Sequence, residues 1–519
     1  MRAGMLFGTR SLVTLPPSAT AVGPTRENTM NILLVSPATP DTFWSFKHVL
    51  RFISKKAAFP PLGLLTVAAM LPRAWNLRVV DLLVTHLSDD DLDWADYVLI
   101  SAMLVHEQSA RAVVARCQAK GKTVIAGGPL FTTGHERFPE IAHFVASEAE
   151  SLMPALVADM ISGQLKPIYR AANKPDVTHT PVPRWDLIRC SDYATMSVQF
   201  SRGCPFNCEF CDIVAMYGRV PRVKTPAQMI HELDTLLDIG WKGTIFIVDD
   251  NFIGNRKKVK ELLRELIPWR ARRGVKLPFL TEASLNLVDD RELLDLMVQA
   301  GFKKVFIGLE TPEENSLVEC AKVQNTRRDI VAAIRQIQQA GLEVMGGFIV
   351  GFDNDPRSIF ERQWRFIQDA GVVTAMVGLL TALPQTRLFA RLKEEGRILA
   401  ESTGNNLDAV LNFVPKLDRE TLIEGYRALV KHLYTPREYY RRALTFLREY
   451  RPSGPRTHRP WSEVKAFVRS LWVLGVWTRG RREYWKYFTK SLVLYPRAFG
   501  EAMSLAITGH HFRKIAAQI

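Results

Sequence analysis

The sequence predicts an α/β protein in three parts: a doubly wound parallel sheet, a partial (β/α)6 barrel and a helical C-terminal domain. Short apolar strands alternate with helical stretches from residue 30 to about residue 400, which is the pattern of repeated βαβ units. A poorly periodic, proline-containing connector at 166–194 divides this pattern into two series. The strands then end near residue 400, and the length of 519 residues agrees with about three domains.

Composition excludes several classes of protein before any motif is considered. Hydrophobic residues make up 47% of the chain and charged residues 23%, which is typical of a folded globular protein. The longest apolar runs, Ala375–Leu383 and Leu471–Trp477, are far shorter than the ~18 residues of a membrane-spanning helix. Six cysteines in a chain of this length also argue against a disulfide-stapled secreted fold.

Residues 1–29 are expected to lie outside the fold as a disordered extension. They show no strong periodicity and contain Pro16, Pro17 and Pro24. A cleaved targeting peptide is the alternative, because the segment holds three arginines and only one acid.

Residues 30–165 are predicted to form a Rossmann-like domain. The apolar strands are Ile32–Ser36, Leu77–Leu82, Tyr97–Ala102, Thr123–Ala126 and Phe144–Ala146. Helical stretches lie between them at 62–73, 106–119 and 151–162. In doubly wound sheets a ligand binds beyond the carboxyl ends of the strands, so the loops after these strands are candidate binding loops.

Residues 195–400 are predicted to form the partial TIM barrel. Its six strands are Met196–Phe200, Thr244–Val248, Pro278–Ser284, Lys304–Leu309, Glu343–Val350 and Thr374–Ala382. One intervening helix is placed at 226–239, where Thr225 can cap and Pro226 suits the first helical position. Barrels of this kind carry their active sites in the loops that follow the strands.

A cluster of three cysteines follows the first barrel strand. The chain reads Ser201-Arg-Gly-Cys204-Pro-Phe-Asn-Cys208-Glu-Phe-Cys211, whereas Cys117, Cys190 and Cys320 stand alone in sequence. Three closely spaced thiolates suit an iron–sulfur cluster that keeps one iron open, since a structural zinc site normally has four ligands. A zinc site completed by a distant Cys or His is the alternative.

The Cys204, Cys208 and Cys211 spacing resembles the hallmark loop of the radical SAM superfamily, including an aromatic residue, Phe210, before the last cysteine. This resemblance implies a [4Fe–4S] cluster whose open iron binds S-adenosylmethionine (SAM). An electron from the cluster then cleaves SAM to a 5′-deoxyadenosyl radical. A closed barrel protects such a radical from water.

Later strand ends also resemble the SAM-binding positions of that superfamily. The segments are Val248-Asp-Asp-Asn251 after the second strand, Thr281-Glu-Ala-Ser284 after the third, Gly308-Leu-Glu-Thr311 after the fourth, and the glycine-bearing fifth strand. The residues that the resemblance assigns to SAM are Phe210, Asp249, Asp250, Glu282, Ser284, Glu310, Gly347 and Gly351. Asp249 and Asp250 can equally cap the helix that follows them.

The first domain resembles the cobalamin-binding fold that precedes the barrel in one large class of these enzymes. Ser101, Gly127 and Gly128 match that fold, and glycines there let the nucleotide tail approach the backbone. The Asp-x-His-x-x-Gly motif that supplies a lower cobalt ligand is absent. Met103, Leu104 or His106 is therefore expected near the lower face. The alternative is a domain that has lost the corrinoid or binds another ligand.

The C-terminal domain, residues 401–519, carries almost all the excess charge of the protein. Residues 416–519 hold 21 Lys and Arg against 8 Asp and Glu, within a formal net charge of +15 for the whole chain. They also hold 8 of the 12 Tyr and 4 of the 11 Trp. Three interpretations compete: a solvated helical cap that closes the barrel, a membrane-surface face, and a nucleic-acid-binding segment.

The stretch 30–519 is similar to cobalamin-dependent radical SAM methyltransferases with this C-terminal extension, a group that includes hopanoid methylases. The sequence segments that support this similarity are Met216-Tyr-Gly-Arg-Val220 and Val248-Asp-Asp-Asn-Phe-Ile253. The resemblance implies methylation of an unactivated carbon of an apolar substrate, with hydrogen abstraction by the radical and methyl delivery from methylcobalamin. A second SAM would then remethylate the cobalt.

The implied partners are an apolar small molecule or lipid and an electron donor such as a flavodoxin or ferredoxin. The protein is expected in the cytoplasm, peripheral on the inner membrane surface through 416–519, and nucleic acid is not expected as a partner. Two alternatives stay open. One is radical chemistry without methyl transfer, such as oxidative cyclisation or rearrangement, and the other is a non-catalytic iron–sulfur redox sensor or nucleic-acid-binding protein.

Overall fold

A computed structural model describes residues 29–405, 407–452 and 461–519 of the chain. The expected N-terminal extension, residues 1–29, lies outside the described residues except for Thr29.

The first domain is built on a six-stranded parallel sheet with the order β2-β1-β3-β4-β5-β6. Its strands are β1 Asn31–Ser36, β2 Asn76–Asp81, β3 Tyr97–Ser101, β4 Thr123–Gly127, β5 His143–Val145 and β6 Ile168–Tyr169. Its helices are α1 Lys47–Ile53, α2 Leu62–Ala69, α3 Asp89–Trp94, α4 Glu107–Ala119, α5 Pro129–Gly134 and α6 Met153–Ser162. The strand order reverses between β1 and β3, which is where doubly wound sheets bind ligands.

Both faces of this sheet are buried, as the apolar strands require. Leu33 and Val35 of β1 pack into one apolar core, and Ile32 and Leu34 pack into another on the opposite face. Successive side chains of a strand point to opposite faces, so an uninterrupted apolar strand needs helices on both sides.

The second domain is a parallel sheet with the sequential order β7-β10-β11-β12-β13-β14. Its strands are β7 Thr195–Val198, β10 Thr244–Ile247, β11 Phe279–Ala283, β12 Phe302–Glu310, β13 Glu343–Val350 and β14 Ala375–Leu379. A separate antiparallel pair, β8 Ser201–Arg202 and β9 Arg222–Val223, follows β7. The helices are α7 Ile213–Tyr217, α8 Pro226–Asp238, α9 Arg256–Arg273, α10 Arg291–Ala300, α11 Glu314–Glu319, α12 Ile330–Ala340, α13 Ile359–Asp369 and α14 Arg387–Glu394.

The predicted strands of both domains are confirmed to within a few residues. The Thr225 cap is also confirmed, because its side chain accepts a hydrogen bond from the Gln228 amide at the start of α8. The helix predicted at 62–73 is wrong at its end, since α2 stops at Ala69. Pro72 explains the early end, because a proline disfavours the helical conformation of the residue before it. The two-residue strand β6 lies in the stretch predicted as a connector.

The C-terminal domain is helical, as predicted. It contains α15 Arg419–Leu433, α16 Pro436–Glu449, α17 Trp461–Trp472, a π-helical turn Val473–Trp477, α18 Arg481–Leu494 and α19 Phe499–Ala516. The Tyr426 hydroxyl, on α15, donates to the Val377 carbonyl of β14 at 3.3 Å, and the hydroxyl of Tyr434 donates to the carbonyl of Ala375. These bonds satisfy backbone groups at the edge strand of the barrel, so α15 covers that edge.

No helix among the described residues is long and apolar enough to cross a bilayer.

Candidate active site

The three cysteines lie in the connection between β8 and β9, at the carboxyl end of β7. Asp249, which follows β10, fixes the start of this loop. Its carboxylate accepts hydrogen bonds from the Phe200 amide at 2.7 Å and from the Ser201 amide and hydroxyl at 2.9 and 2.7 Å. Burial raises the pKa of Asp249 to about 7, although these three donors oppose the rise.

Asp249 therefore differs from the expectation drawn from the sequence, because both its oxygens serve the loop. Asp250 accepts a further bond from the Gly203 amide at 3.1 Å. The interpretation of either residue as a helix cap is wrong: the side chain that caps α9 is Asn255, which accepts from the Lys258 amide. The carboxylates point instead toward the loop because β7 and β10 are hydrogen-bonded neighbours in the barrel sheet.

The other side of the loop is fixed by α14. Arg391 binds both carboxylate oxygens of Glu209, at 2.7 and 3.1 Å, and the Leu388 amide donates to the Glu209 carbonyl at 2.9 Å. The Glu209 amide donates in turn to the carbonyl of Cys320, so this cysteine is brought beside the loop. A bidentate arginine–carboxylate pair constrains geometry more tightly than a single contact.

Donors and one cation surround the cysteine sulfurs. The Asn251 amide group lies 3.7 Å from the Cys204 sulfur, and the Gln324 amide group lies 3.8 Å from that of Cys208. Burial raises the pKa of Cys204 above its ordinary value, whereas the Asn251 hydrogen bond and the Lys322 ammonium lower it. Such donors and charges near the sulfurs stabilise thiolates and tune iron–sulfur clusters.

This donor set fits an iron–sulfur cluster. Among the described residues, no three His, Cys, Asp or Glu side chains converge closely enough to hold a single metal ion. In a cluster each cysteine binds a different iron, so the three sulfurs do not need to meet at one point. Three cysteines with amide donors beside the sulfurs of Cys204 and Cys208 suit a cluster that leaves one iron open.

A group of carboxylates lines the carboxyl ends of β10 and β11. Burial raises the pKa of Asp250 to about 6, and burial together with the negative charges of Asp250 and Asp249 raises the pKa of Glu282 to about 8. Ser284 receives a hydrogen bond from the Asn251 amide group at 3.2 Å and donates to Asn286 at 2.6 Å. Carboxylates crowded in this way favour a cationic ligand, and SAM carries both an ammonium and a sulfonium group.

Glu310 and Lys322 form an ion pair on the inner face of β12. The Lys322 ammonium lies 2.6 Å from a Glu310 oxygen, and both side chains are largely buried. Gly308 makes room for this pair, because a Cβ at that position would lie 2.4 Å from the Glu310 oxygen and 2.7 Å from the Lys322 nitrogen. The ammonium also lies 5.9 Å from the centre of the Phe210 ring, so the pair adjoins the cysteine loop.

The glycines of β13 have different surroundings. Gly347 pairs with Gly308 across β12 and β13, and neighbouring side chains occupy the space that both glycines leave. Below them the Phe306 ring lies 2.9 Å from where a Gly347 Cβ would stand. Gly351 has a φ of +109°, and its amide donates to Asp355 at 2.8 Å.

The residues expected at a corrinoid lie at the switch point of the first sheet. Gly128 has a φ of +92°, and a Cβ there would lie 2.8 Å from the Ala102 carbonyl and 3.0 Å from the Ser101 hydroxyl. The preceding residue, Gly127, is the last residue of β4. Leu104 packs against the backbone at Gly404. This turn admits no side chain at position 128.

Met103 and His106 occupy the loop after β3. The Met103 side chain is 50% exposed. The Nδ1 atom of His106 accepts from the Met103 amide at 3.2 Å, and burial lowers the pKa of His106 to about 4. The exposed thioether and the side-chain-free turn fit an apolar cofactor face, and His106 uses one ring nitrogen within its own loop.

The carboxyl ends of the two sheets face each other. Glu148 and Glu150, which follow β5, bind Arg202 at 2.8 and 2.7 Å, and Glu148 also binds Arg222 at 2.8 Å. Arg202 is two residues before Cys204. A buried ion-pair network therefore joins the loop after β5, at the carboxyl edge of the first sheet, to the cysteine loop of the barrel.

Sequence analysis did not identify several of these residues as part of the site. Asn251 directly follows Asp249 and Asp250, so its position next to these two candidates was a signal that could have identified it. Lys322, Gln324 and Arg391 lie on segments without a motif, and only the fold brings them to the loop.

Comparisons with known proteins identify the class. The model of the radical SAM superfamily matches residues 198–367, and a domain of unknown function, DUF4070, matches residues 386–519. A structure of the radical SAM methyltransferase TsrM from Kitasatospora setae, with cobalamin and a [4Fe–4S] cluster bound, superposes with a TM-score of 0.61. It is 15% identical, and the match covers 93% of this chain and 99% of that one. The cobalamin-dependent enzyme OxsB superposes with a TM-score of 0.59 at 14% identity, over 95% of this chain and 80% of that one.

At this identity the structural likeness shows the fold, and two sequence relatives show the family. An uncharacterised methyltransferase of Synechocystis sp. is 40% identical over 489 residues, which are 93% of this chain and 91% of the relative. Hopanoid C-2 methylase of Rhodopseudomonas palustris is 32% identical over 480 residues, 90% of each chain. The chain belongs to the radical SAM methyltransferase family that includes these two proteins.

Proposed function

We propose that this protein is a cobalamin-dependent radical SAM enzyme that methylates an unactivated carbon of an apolar, hopanoid-like lipid. The observation that carries the proposal is the ion-pair network that joins the cysteine loop to the loop after β5, at the same carboxyl edge of the first sheet as the loops after β3 and β4. Methyl transfer to a substrate radical requires the SAM site and the methyl-donor site to lie close together, so that both reach the same substrate. The two methyltransferase relatives, which align along 90% or more of the chain, support the same reaction.

The cluster residues in this proposal are Cys204, Cys208 and Cys211, which leave one iron free for SAM. Bound together, the cluster, SAM and methylcobalamin supply a 5′-deoxyadenosyl radical and a methyl group. Asp249 and Glu209 hold the loop in place from opposite sides, and Lys322 keeps positive charge beside the thiolates.

The SAM site in this proposal is the carboxyl rim of the barrel. Asp250 and Glu282 face the cationic groups of SAM, and Ser284 and Glu310 bind polar groups of the ribose and amino acid. Gly347, which pairs with Gly308 of the neighbouring strand, is the position that approaches the adenine ring in this proposal. Phe210 and Gly351 complete the site beside the loop and at the end of β13.

The cobalamin site in this proposal is the switch point of the first domain. Gly127, Gly128 and Ser101 would hold the nucleotide tail, and Met103 and Leu104 would contact the corrin, with no histidine assigned as a ligand. We further propose an electron donor such as a flavodoxin or ferredoxin, and a cytoplasmic protein that contacts the inner membrane surface through residues 416–519.

The test is an anaerobic assay of the reconstituted protein with cluster, cobalamin, a reducing system and candidate polycyclic lipids. Comparable amounts of 5′-deoxyadenosine and S-adenosylhomocysteine, together with a methylated lipid, are expected. Deoxyadenosine alone would favour a cyclisation or rearrangement instead. Replacement of Cys204, Cys208 and Cys211 by Ala should abolish the cluster absorbance, and a retained cluster would refute the ligand assignment.

A further inference from the structure

The C-terminal domain exposes an apolar surface that no part of the described chain covers. It lies on the hairpin of α17 and α18, residues 463–497, which we call the α17–α18 hairpin. Trp477 is 72% exposed, Trp472 61%, Val493 74% and Leu494 62%. Single exposed apolar residues are normal, but two tryptophans and several aliphatic residues on one hairpin mark an interaction surface.

The exposed residues are arranged on one rigid unit. Val464, Val468 and Trp472 recur at four-residue spacing, so they share a face of α17. The rings of Trp472 and Trp477 lie 6.3 Å apart across the π-helical turn. The two helices are held together by the stacked rings of Phe467 and Phe488, also 6.3 Å apart.

The same turn is fixed by Trp485. Its indole nitrogen donates to the Gly475 carbonyl at 3.0 Å, and its ring fills the space where a Gly475 side chain would stand. The tyrosines of the domain behave differently, since Tyr484 and Tyr487 on the same hairpin are buried. On this hairpin, Tyr484 and Tyr487 therefore belong to the buried core, whereas Trp472 and Trp477 form an exposed surface.

Positive charge surrounds this surface. The α17–α18 hairpin carries eight exposed Lys and Arg side chains, including Arg479, Arg481 and Arg482, against two acidic residues. One of those acids, Glu483, pairs with Lys486 at 2.9 Å. The charge is thus complementary to an anionic partner.

We propose that the α17–α18 hairpin docks the protein on the surface of an anionic lipid bilayer. Tryptophans prefer the boundary between head groups and acyl chains, and basic residues are attracted to anionic head groups. A nucleic acid fits less well, because stacking needs parallel open rings, whereas Trp472 and Trp477 stand at 64° to each other and lie among aliphatic side chains.

The hairpin is also connected to the barrel interior. The Arg469 guanidinium, on α17, donates to the carbonyls of Arg51 and Phe52 at 3.0 and 3.1 Å and so holds the end of α1. Close to the other end of α1, the Trp44 ring stacks on Phe246 of β10 and lies 5.1 Å from Phe306 of β12.

Phe306 faces the barrel interior. It shares that face of β12 with Gly308, because strand side chains alternate, and the Glu310 carboxylate lies over Gly308. Helix α1 has seven residues and so spans ~10 Å, and it separates the hairpin from the aromatic side chains of Trp44, Phe246 and Phe306. These side chains could guide an apolar substrate from the membrane into the barrel. This part of the inference rests on the proposed function.

The experiment measures co-sedimentation of the full-length protein with vesicles of phosphatidylcholine, alone or mixed with phosphatidylglycerol. Binding to the anionic vesicles should exceed binding to the neutral ones and weaken with salt. Each basic residue near an anionic surface contributes about 1 kcal/mol, so R481Q/R482Q should bind ~25-fold more weakly. W472S/W477S should lose at least ~10-fold, and wild-type tryptophan emission should shift to the blue on binding.

L399S/V410S is the matched control, because these side chains are 55% and 62% exposed on another part of the surface. It should bind vesicles like the wild type. Absence of vesicle binding, or unchanged binding of W472S/W477S, would overturn the inference, and binding of RNA alone would replace it. Cleavage of SAM in detergent solution should be equal in all these variants, so its absence would count against the proposed chemistry and not against the docking surface.

Discussion

Replacement of Arg202 by Met tests the coupling between the two domains. Arg202 binds Glu148 at 2.8 Å and Glu150 at 2.7 Å, and all three side chains are largely buried. Glu148 keeps a second partner in Arg222, whereas Glu150 keeps its own backbone amide and the Thr180 hydroxyl at 2.8 Å. Removing one member of a buried ion pair costs ~3–5 kcal/mol, and the remaining partners place this case near the lower end, at ~3 kcal/mol.

The pH dependence of this loss follows from Glu150. Burial opposes its ionisation, but the hydrogen bond and charge of Arg202 outweigh burial, so the pKa of Glu150 lies below its ordinary value. Its contribution to stability is therefore present above the unfolded pKa and lost as pH falls through the folded pKa. In R202M only burial and weak partners remain. The pKa then rises, and the variant loses stability as pH increases through that raised value.

Urea unfolding curves of the wild type and R202M, recorded at acid and neutral pH, measure both effects. The difference in unfolding free energy should widen from acid toward neutral pH, and R202M/E150Q should recover part of it. R365M is the control, since Arg365 and Glu361 form an exposed pair whose loss should cost less than ~1 kcal/mol. An R202M that is no less stable than R365M would show that the Arg202 ion pairs do not hold the two domains together.

Three further predictions concern the site. K322M should destabilise the protein by ~3–5 kcal/mol in urea unfolding, because it leaves the Glu310 carboxylate buried without its partner, and E310Q/K322M should recover most of the loss. G128A should cost at least ~2 kcal/mol, because position 128 needs a positive φ and has no space for a Cβ, whereas G63A, with open space, should stay within ~1 kcal/mol of the wild type. The stability of the SAM-free protein should fall as pH rises from the ordinary pKa of Glu282, 4.5, toward about 8, since folding then requires this carboxyl to stay protonated. In E282Q that slope should become shallower but not vanish, because Asp249 and Asp250 also have raised pKa values; an unchanged slope would contradict the assignment.

Much of the fold follows from local pattern. The apolar strands of both series were identifiable because a parallel strand buried on both faces is a short continuous apolar run. The end of α2 before Pro72 and the strand β6 were missed, since a two-residue strand carries almost no pattern.

The site was only partly predictable, for a related reason. The cysteine spacing is local, and the carboxyl ends of neighbouring parallel strands meet at one rim, so Asp250 and Glu282 were expected together. Asp249 was expected at the same rim, yet it holds the backbone of Phe200 and Ser201, because the direction of a side chain depends on the neighbouring strand. The Glu310–Lys322 pair depends on a loop that returns over β12, which no local spacing encodes.

By itself, the sequence determined the order of the three parts, the two parallel sheets and the cysteine loop. Each of these features depends on the periodicity or spacing of residues that are close together in sequence. The tertiary structure decided which groups meet: Glu148 with Arg202, Lys322 with Glu310, and the exposed tryptophans of the α17–α18 hairpin as distinct from the buried tyrosines beside them. Composition counts aromatic and basic residues along a segment, but the side of a helix that remains uncovered is fixed only when its neighbours pack against it.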